Sequence, residues 1–300
     1  MGIASGIIKR LLYPHHLWRV ISLQWNRKKV NRTYDDAQLK LYHQLLPGDF
    51  LHYGYFSDPA IEPQDITLRM VYDAQEQYGQ NIVDLITDKE SEILDIGCGM
   101  GGLLRLMNKQ GYKSIALTPD KNQVHHISQT YPNEILGIRF EDMEMTGNKE
   151  RFGTVITSES LQYLDQDISL PMISALLKPN GRWIACDYFR IGDAAEKSGH
   201  EWPSFLEKLS KYGLKIISQR DITPHILPTI GYVNMWATQI GMPIKDFALG
   251  KLKVKAPGLH YALEGSLPLI EQKIDKNIKT IDPVEFAAKK KYMLLVIEKV

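Results

Sequence analysis

The periodicity of apolar and polar positions changes near residue 90. Beyond that point, short β-rich apolar runs alternate with amphipathic stretches of helical period. Strands separated by helices predict βαβ units, and therefore an α/β fold with a mainly parallel sheet covered on both faces. The seven candidate strands are Glu92–Ile96, Ser114–Thr118, Leu136–Phe140, Gly153–Thr157, Arg182–Asp187, Leu214–Ser218 and Tyr292–Glu298.

Helical patterns flank this alternation. Residues 35–88 are mostly helical in pattern and are interrupted by a loop rich in Pro and Gly at 47–63. About seventy residues separate the sixth and seventh candidate strands, and they contain helical patches at Tyr232–Ile240 and Leu267–Lys279. Because a structureless loop of this size is improbable in a compact domain, we expect a helical cap inserted before the last strand.

Composition and charge narrow the classes of function. The 300 residues are 44% hydrophobic and 24% charged, as in an ordinary soluble globular protein, and the net charge is +1. This balance offers nucleic acid little attraction. Two cysteines, Cys98 and Cys186, indicate a reducing, cytoplasmic compartment and argue against a disulfide framework or a thiolate metal cluster. The pairs His15–His16 and His125–His126 lack carboxylates at ligand spacing, so we predict no metal site.

The first 34 residues are basic and amphipathic. They hold seven Lys and Arg and no Asp or Glu, with Trp18, Ile21 and other apolar residues between them at near-helical spacing. Such a segment can lie on an anionic membrane surface, or it can pack on the protein with its charges in water. No apolar run has the length of a transmembrane helix and no secretory signal is visible. We therefore expect a cytoplasmic protein, with peripheral membrane contact through residues 1–34 as the alternative to packing.

A glycine-rich turn follows the first candidate strand. Gly97, Gly99 and Gly101 would let the backbone approach a ligand, and the helix that follows begins with unpaired N–H groups. In open α/β sheets, cofactors bind at this end of a parallel strand. Two cofactors compete for the turn: its spacing satisfies the dinucleotide fingerprint, whereas Asp95, just before the glycines, suits S-adenosylmethionine. The second strand ends at Thr118 without the acidic residue that a nicotinamide enzyme needs.

Three motifs resemble one enzyme family. The segments Leu94–Gly102 (LDIGCGMGG) and Lys178–Gly181 resemble the first motif and the LKPGG turn of class I S-adenosylmethionine-dependent methyltransferases. Leu117–Gln123 resembles a stretch of cyclopropane synthases and of sterol, tocopherol and prenyl-diphosphate C-methyltransferases. The resemblance implies S-adenosyl-L-methionine as cofactor and a Rossmann-like domain at 89–223 plus 291–300. Residues 1–88 then form an N-terminal helical segment with an active-site loop, and 224–290 form the substrate cap.

The resemblance also implies cofactor-binding residues. Thr118 and Gln123 take over part of the work of the usual acidic ribose ligand. Asp142 contacts the exocyclic amine of adenine, and Met143 lies under its ring. The loop Leu51–Phe56, with Tyr53, resembles the HYGYW segment that closes over the methionine end of the cofactor. The similarity covers about residues 50–225 and the final strand.

Candidate catalytic residues follow from the same comparison and from the chemistry. Cyclopropane synthases have a bicarbonate-binding Glu-His pair where this sequence has Leu161 and Gln162, so ring closure by that mechanism is not expected. Ser158–Ser160 instead resembles the ES motif of tocopherol and prenyl-diphosphate methyltransferases, which places Glu159 near the substrate. Methyl transfer needs donor and acceptor held at attack distance. Glu159 or His52 can act as the base, with Tyr53 beside the reacting groups.

The sequence thus predicts a methyltransferase for an apolar or amphipathic small molecule (prenyl, fatty-acyl, sterol-like or polyketide-like) and favours C-methylation. The pocket for the methyl acceptor is expected to be lined by Tyr55, Tyr163, Tyr232 and Trp236. An O- or N-methyltransferase of a small natural product is the alternative within the class. A nicotinamide dehydrogenase and a non-catalytic cofactor-binding or membrane-surface module are alternatives outside it. Nucleic-acid methylation is disfavoured, because Thr157–Ser160 lacks the Pro-Pro-aromatic set that surrounds a flipped base.

Overall fold

The computed structural model describes residues 13–26, 44, 48–192 and 198–300, and it divides into two compact units. Unit 1 comprises residues 1–34 and 235–280, and unit 2 comprises residues 35–234 and 281–300. In chain order the α-helices are α1 (Pro14–Asn26), α2 (Leu68–Val83), α3 (Gly102–Lys109), α4 (Lys121–Thr130), α5 (Gln166–Leu176), α6 (Trp202–Lys211), α7 (Thr223–Trp236), α8 (Met242–Lys255), α9 (Pro257–Glu264), α10 (Leu267–Thr280) and α11 (Pro283–Lys289).

A single sheet forms the centre of unit 2. Its strands are β1 (Glu92–Ile96), β2 (Ser114–Leu117), β3 (Ile135–Leu136), β4 (Phe152–Ser158), β5 (Leu177–Arg190), β6 (His200–Glu201), β7 (Leu214–Asp221) and β8 (Lys290–Lys299). Their order is β3-β2-β1-β4-β5-β8-β7, and β6 pairs with β5. All pairs are parallel except those of β8, which runs antiparallel to both β5 and β7. This is the predicted Rossmann-like α/β fold, with β6 as an unpredicted two-residue addition.

A third strand is present, but the predicted bounds Leu136–Phe140 are wrong beyond the first residue. Only Ile135–Leu136 pairs with β2, and a 3-10 turn at Phe140–Asp142 follows. Phe140 is buried, but the three residues before it are exposed, so the run has one inward side chain where a strand would need alternation.

Each face of the sheet packs on its own layer of helices. Strand residues such as Ile93 and Ile184 face a core shared with α2, α3 and α7. The adjacent residues Leu94 and Trp183 point to the opposite face, where they pack on α5 and α6. Because side chains of a strand alternate between faces, a strand buried on both sides is a continuous apolar run, which is why the strand sequences are so apolar.

The described part of unit 1 consists of helices and the short turns that join them. It contains α1 and α8–α10, with a π-helical turn at Ala237–Gly241 after α7. The predicted helical patches around Tyr232–Ile240 and Leu267–Lys279 are therefore confirmed as helix. Of the predicted N-terminal helices, Pro14–Asn26 and Leu68–Val83 are present, while residues 1–12, 27–43 and 45–47 lie outside the described residues. Within the described ranges, we find no helix with the length and apolar character needed to cross a bilayer.

Candidate functional site

Four parallel strands have polar residues at or near their carboxyl ends, on one edge of the sheet, and three of these residues are buried. Asp95 lies at the end of β1, Thr118 follows β2, Glu159 follows β4, and Asp187 lies in the last third of β5. Asp95, Thr118 and Asp187 are each 2% exposed or less. Since carboxyl ends of parallel strands mark the ligand crevice of open α/β sheets, this edge is the candidate site.

The glycine turn at this edge has three left-handed glycines, but only one faces open space. A Cβ on Gly97 would lie 2.3 Å from the Cβ of Ser160, and one on Gly101 would lie 2.6 Å from the ring of Tyr131. A Cβ on Gly99 would have only Leu51 nearby, at 3.6 Å. Packing within the chain thus requires glycine at positions 97 and 101. Gly99 is the position where the backbone is open to a ligand.

Two buried acceptors beside the turn have no donor among the described residues. Neither carboxylate oxygen of Asp95 receives a hydrogen bond, and neither does Nε2 of His52. The other ring nitrogen of His52, Nδ1, donates to the carbonyl of Tyr53 at 2.7 Å, so Nε2 carries a lone pair. Buried polar groups are nearly always paired, and unpaired acceptors therefore indicate a ligand with hydroxyl or amino groups.

The loop at 49–56 is hydrogen-bonded to the start of α3 through its first residue, Asp49. The carbonyl of Asp49 accepts the N–H of Gly102, the first residue of α3. Its carboxylate accepts bonds from the hydroxyl of Tyr131 and from Nε2 of His126. The loop therefore occupies one amide at the start of α3.

The second half of the loop is bonded to β4 and α7. The N–H of Tyr53 donates to Glu159 Oε1 at 3.0 Å. The N–H of Gly54 donates to Thr229 Oγ1 at 3.0 Å, and the N–H of Phe56 donates to the carbonyl of His225 at 2.9 Å. The loop thus joins the glycine turn, Glu159 and α7 in eight residues.

Glu159 is the centre of a partly buried hydrogen-bond network. Its backbone is left-handed, with φ of 51°, which directs the residue out of the line of β4. The hydroxyl of Tyr292 donates to Oε1 at 2.6 Å, so both side-chain bonds found in the described chain fall on the same oxygen. The hydroxyls of Tyr78 and Tyr292 are 3.0 Å apart, and Ser158 donates to Tyr78.

Burial controls the protonation of the carboxyl groups at this edge. Desolvation raises the pKa of Glu159 to about 7, although the bonds from Tyr292 and Tyr53 favour the carboxylate. It raises the pKa of Asp95 to about 7 and, together with the charge of Glu159, that of Asp187 to about 8. The pKa of His52 falls to about 4 because its ring is buried, so His52 is neutral near pH 7.

The residues expected to hold the ribose and the adenine of the cofactor differ in burial. Thr118 donates to Gln123 Oε1 at 2.6 Å, and both residues are buried. Asp120 caps α4 by accepting the N–H groups of Asn122 and Gln123. Asp142 is exposed at the end of the 3-10 turn, and Met143 is buried in the core under the sheet.

The four residues expected at the acceptor are distributed widely. Tyr55 lies in the loop at 49–56 and stacks on His225 of α7, with ring centroids 4.3 Å apart. Tyr232 is buried within α7. Tyr163 is 76% exposed on a turn after β4. Trp236 belongs to unit 1, whereas the other three belong to unit 2.

Sequence analysis missed three members of the site. Tyr78, on α2, stacks on His52 with ring centroids 4.0 Å apart and bonds to Tyr292. Asp187 accepts the N–H groups of Gln162 and Tyr188. The carboxylate of Asp187 in an apolar strand was a usable signal, since charge in a buried strand is rare. No local signal marks Tyr78 or Tyr292, because their pairing depends on the tertiary fold.

The raised pKa of Asp187 predicts a specific change of stability with pH. The folded chain holds this proton to a higher pH than the unfolded chain, so the stabilisation is present below about pH 4 and is lost as pH rises through about 8. Asp187→Asn removes this titration at a cost that does not vary with pH, since its amide nitrogen cannot accept one of the two N–H groups. The melting temperature of the variant minus that of the wild type should therefore rise by several degrees between pH 5 and about 9, as measured by circular dichroism. The surface variant Asp65→Asn should follow the wild type; a parallel course for Asp187→Asn would contradict a protonated Asp187.

The described residues show no group of three or more His, Cys, Asp or Glu arranged to hold a metal ion. Cys98 and Cys186 are both free and buried. The edge holds a carboxylate among tyrosines, beside a turn whose neighbouring acceptor atoms lack donors in the described chain.

Comparison with known proteins gives a family and a fold. The family model described as a methyltransferase domain matches residues 70–223. An O-methyltransferase of Pyrenophora dematioidea is 24% identical over 233 residues, which cover 71% of this chain and 85% of the relative. A 2-methyl-6-phytyl-1,4-hydroquinone methyltransferase of Synechocystis sp. is 24% identical over 151 residues, or 49% of this chain and 46% of the relative.

Among solved structures, the chain resembles a geranyl diphosphate C-methyltransferase of Streptomyces coelicolor A3(2). That crystal structure contains Mg2+, geranyl diphosphate and S-adenosyl-L-homocysteine. The two superpose with a TM-score of 0.64 at 15% identity, over 91% of this chain and 97% of the other. At this identity the likeness shows a shared fold.

Proposed function

The chain belongs to the family of methyltransferase domains, and on that premise we propose that it methylates an apolar or amphipathic small molecule with Glu159 as the base. It is an enzyme that uses S-adenosyl-L-methionine, which supplies a methyl group activated on a positively charged sulfur. The observation that carries the proposal is the position of Glu159: a partly buried carboxylate held by two donors on one oxygen, with the rings of Tyr53 and Tyr292 beside it.

The residues at the glycine turn fit this cofactor. Asp95 and His52 Nε2 are acceptors without donors in the described chain, and the cofactor has hydroxyl and amino donors. Gly99 leaves room beside the backbone. Thr118 and Gln123, buried next to the turn, form the adjoining wall. We assign the binding of the cofactor to these residues, with Tyr53 at the junction of the loop and Glu159.

Glu159 suits a proton acceptor in this setting. Methylation of an alkene carbon leaves a carbocation on the acceptor, and loss of a neighbouring proton restores the double bond. Oε1 of Glu159 is occupied by the Tyr53 N–H and the Tyr292 hydroxyl, which leaves Oε2 for that proton. A pKa of about 7 places the carboxylate near the value at which general bases are most effective at neutral pH.

An apolar acceptor matches the surroundings of Glu159. The ring of Tyr292 lies 6.3 Å from that of Tyr53 and 6.1 Å from that of Tyr78, both nearly edge-on. No ion pair of Glu159 is found in the described part of the chain. Aromatic faces stabilise a sulfonium or a carbocation. They offer few hydrogen bonds to a hydrophilic acceptor, so they favour an apolar one. The solved C-methyltransferase of the same fold was crystallised with a prenyl diphosphate, which supports a prenyl-like acceptor.

O-methylation is the second candidate, since one relative is named an O-methyltransferase. A phenol can donate its proton to the same carboxylate before or during transfer. The geometry of Glu159 serves both reactions.

Methyl transfer to apolar acceptors can be tested directly. The protein is incubated with ¹³C-methyl-labelled cofactor and a panel of prenyl diphosphates, prenylated phenols, fatty-acyl esters and hydrophilic acids and amines. We expect the label in an apolar acceptor, detected by mass spectrometry, and ¹³C NMR then separates carbon-bound from oxygen-bound methyl. Label in hydrophilic acceptors alone would refute the proposed acceptor class while leaving the enzyme class intact.

A further inference from the structure

Helix α8 has apolar side chains on two opposite sides. One side carries Met242, Leu249 and Leu252, which are partly covered. At 100° per residue the other side carries Ile244, Phe247 and Val254, which are 61%, 66% and 76% exposed. A surface helix normally has one apolar stripe and a polar outer face. The outer stripe of α8 therefore lacks a partner in the described chain.

Lysines border this outer stripe. Lys251 lies between Phe247 and Val254 on the same side, and its ammonium is 5.5 Å from the centre of the Phe247 ring. Lys255, exposed at the end of the helix, lies on this side too, and Lys253 is exposed on the opposite side. Apolar side chains flanked by long cationic ones are typical of helices that lie at a membrane interface, where lysine extends to the headgroups.

Helix α1 belongs to the same unit and has the same character. Trp18 is 72% exposed, and Leu17 and Ile21 are also exposed. Tryptophan is favoured at the boundary between water and lipid because its ring is apolar and its N–H is polar.

The charge of the protein is divided between the two units. Segments 1–34 and 235–280 contain fourteen Lys and Arg and four Asp and Glu, a net charge of +10. The remainder contains 22 basic and 31 acidic residues, a net charge of −9. A nearly neutral protein thus has a strongly cationic unit that also exposes apolar side chains.

We propose that unit 1 docks on an anionic lipid bilayer through α1 and the outer stripe of α8. Anionic headgroups attract the net charge of +10, and Trp18, Ile244, Phe247 and Val254 enter the boundary between headgroups and acyl chains. A second copy of this chain is disfavoured as the occupant, because pairing the same surfaces brings like charges together. The inference is independent of the proposed acceptor, although a bilayer is also where an apolar acceptor is concentrated.

Vesicle flotation of the full chain tests this docking. The probes are vesicles of phosphatidylcholine alone and of phosphatidylcholine with phosphatidylglycerol, at low and high salt. We expect binding to the anionic vesicles only, and release at high salt because exposed charges are screened. The triple variant Lys251→Glu, Lys253→Glu, Lys255→Glu should bind at least about a hundredfold more weakly. Phe247→Ser with Val254→Ser should also weaken binding, with little change in its salt dependence.

A matched control removes the same charge from unit 2. Lys109→Glu, Lys149→Glu, Lys215→Glu changes three exposed lysines and should retain vesicle binding within a few fold. Cofactor affinity, measured by calorimetry, checks that each variant is folded. Equal binding of neutral vesicles, no binding of anionic ones, or equal losses in both triple variants would overturn the proposal. So would a concentration-dependent dimer that Phe247→Ser abolishes, since the stripe would then be a protein interface.

Discussion

Glu159→Gln is expected to lower kcat by about 10²–10⁴-fold while leaving cofactor affinity unchanged. Glutamine keeps an oxygen for the Tyr292 hydroxyl and the Tyr53 N–H, so the geometry of the network is retained. The glutamine amide cannot take up a proton from the methyl acceptor, and a positioned base typically contributes about 10²–10⁴-fold to the rate. Steady-state kinetics and calorimetry measure the two quantities separately.

The pH profile gives this prediction a second measurement. Because burial raises the pKa of Glu159 to about 7, wild-type kcat should rise with pH through that value as the carboxylate ionises. The residual activity of Glu159→Gln should lack this rise. Glu134→Gln, which changes an exposed carboxylate, is the matched control and should keep both rate and profile. Wild-type turnover in Glu159→Gln would remove the residue from the mechanism.

Gly99→Val is expected to lower the affinity for S-adenosyl-L-methionine by more than about a hundredfold. Gly99 has φ of 58°, a conformation that costs other residues about 1–2 kcal/mol and that a β-branched side chain adopts least readily. The added methyl groups would also fill the open space beside the backbone, where we place the cofactor. Isothermal titration calorimetry of the purified variant measures the loss.

Gly111 provides a control with the same backbone strain. It has φ of 78° in the turn between α3 and β2, and a Cβ there would meet nothing within 4 Å. Gly111→Val should therefore lose stability as Gly99→Val does, yet bind the cofactor normally. If both variants lost affinity equally, strain would explain the effect and Gly99 would have no specific role.

The strand–helix alternation and the position of the glycine turn could be predicted from sequence because both are local. A buried parallel strand is a continuous apolar run, and the glycines and Asp95 lie within one short segment. The predicted strand at Leu136–Phe140 shows the limit of this approach. Its apolar residues Leu136, Ile138 and Phe140 alternate as in a strand, yet Ile138 is exposed and Phe140 belongs to a turn, so a segment this short does not distinguish the two structures.

The reasons for the glycines were only partly predictable. Gly97 and Gly101 are small because Ser160 and Tyr131 pack against them, and these partners are distant in sequence. The same holds for Glu159, whose partners Tyr53 and Tyr292 are 106 and 133 residues away. A motif can indicate that a carboxylate is near a substrate, but its hydrogen bonds depend on elements that only the folded chain brings together.

The position of β8 between β5 and β7 has a consequence for synthesis on the ribosome. Strand β8 leaves the exit tunnel after all seven of the other described strands. In the described sheet, β7 pairs with β8 alone. Until then, β5 and β7 have open edges that invite association with other nascent chains. Tyr292 arrives with the same strand, so a growing polypeptide cannot complete the hydrogen bonds of Glu159 before the sheet closes, and chaperone protection would matter most in that interval.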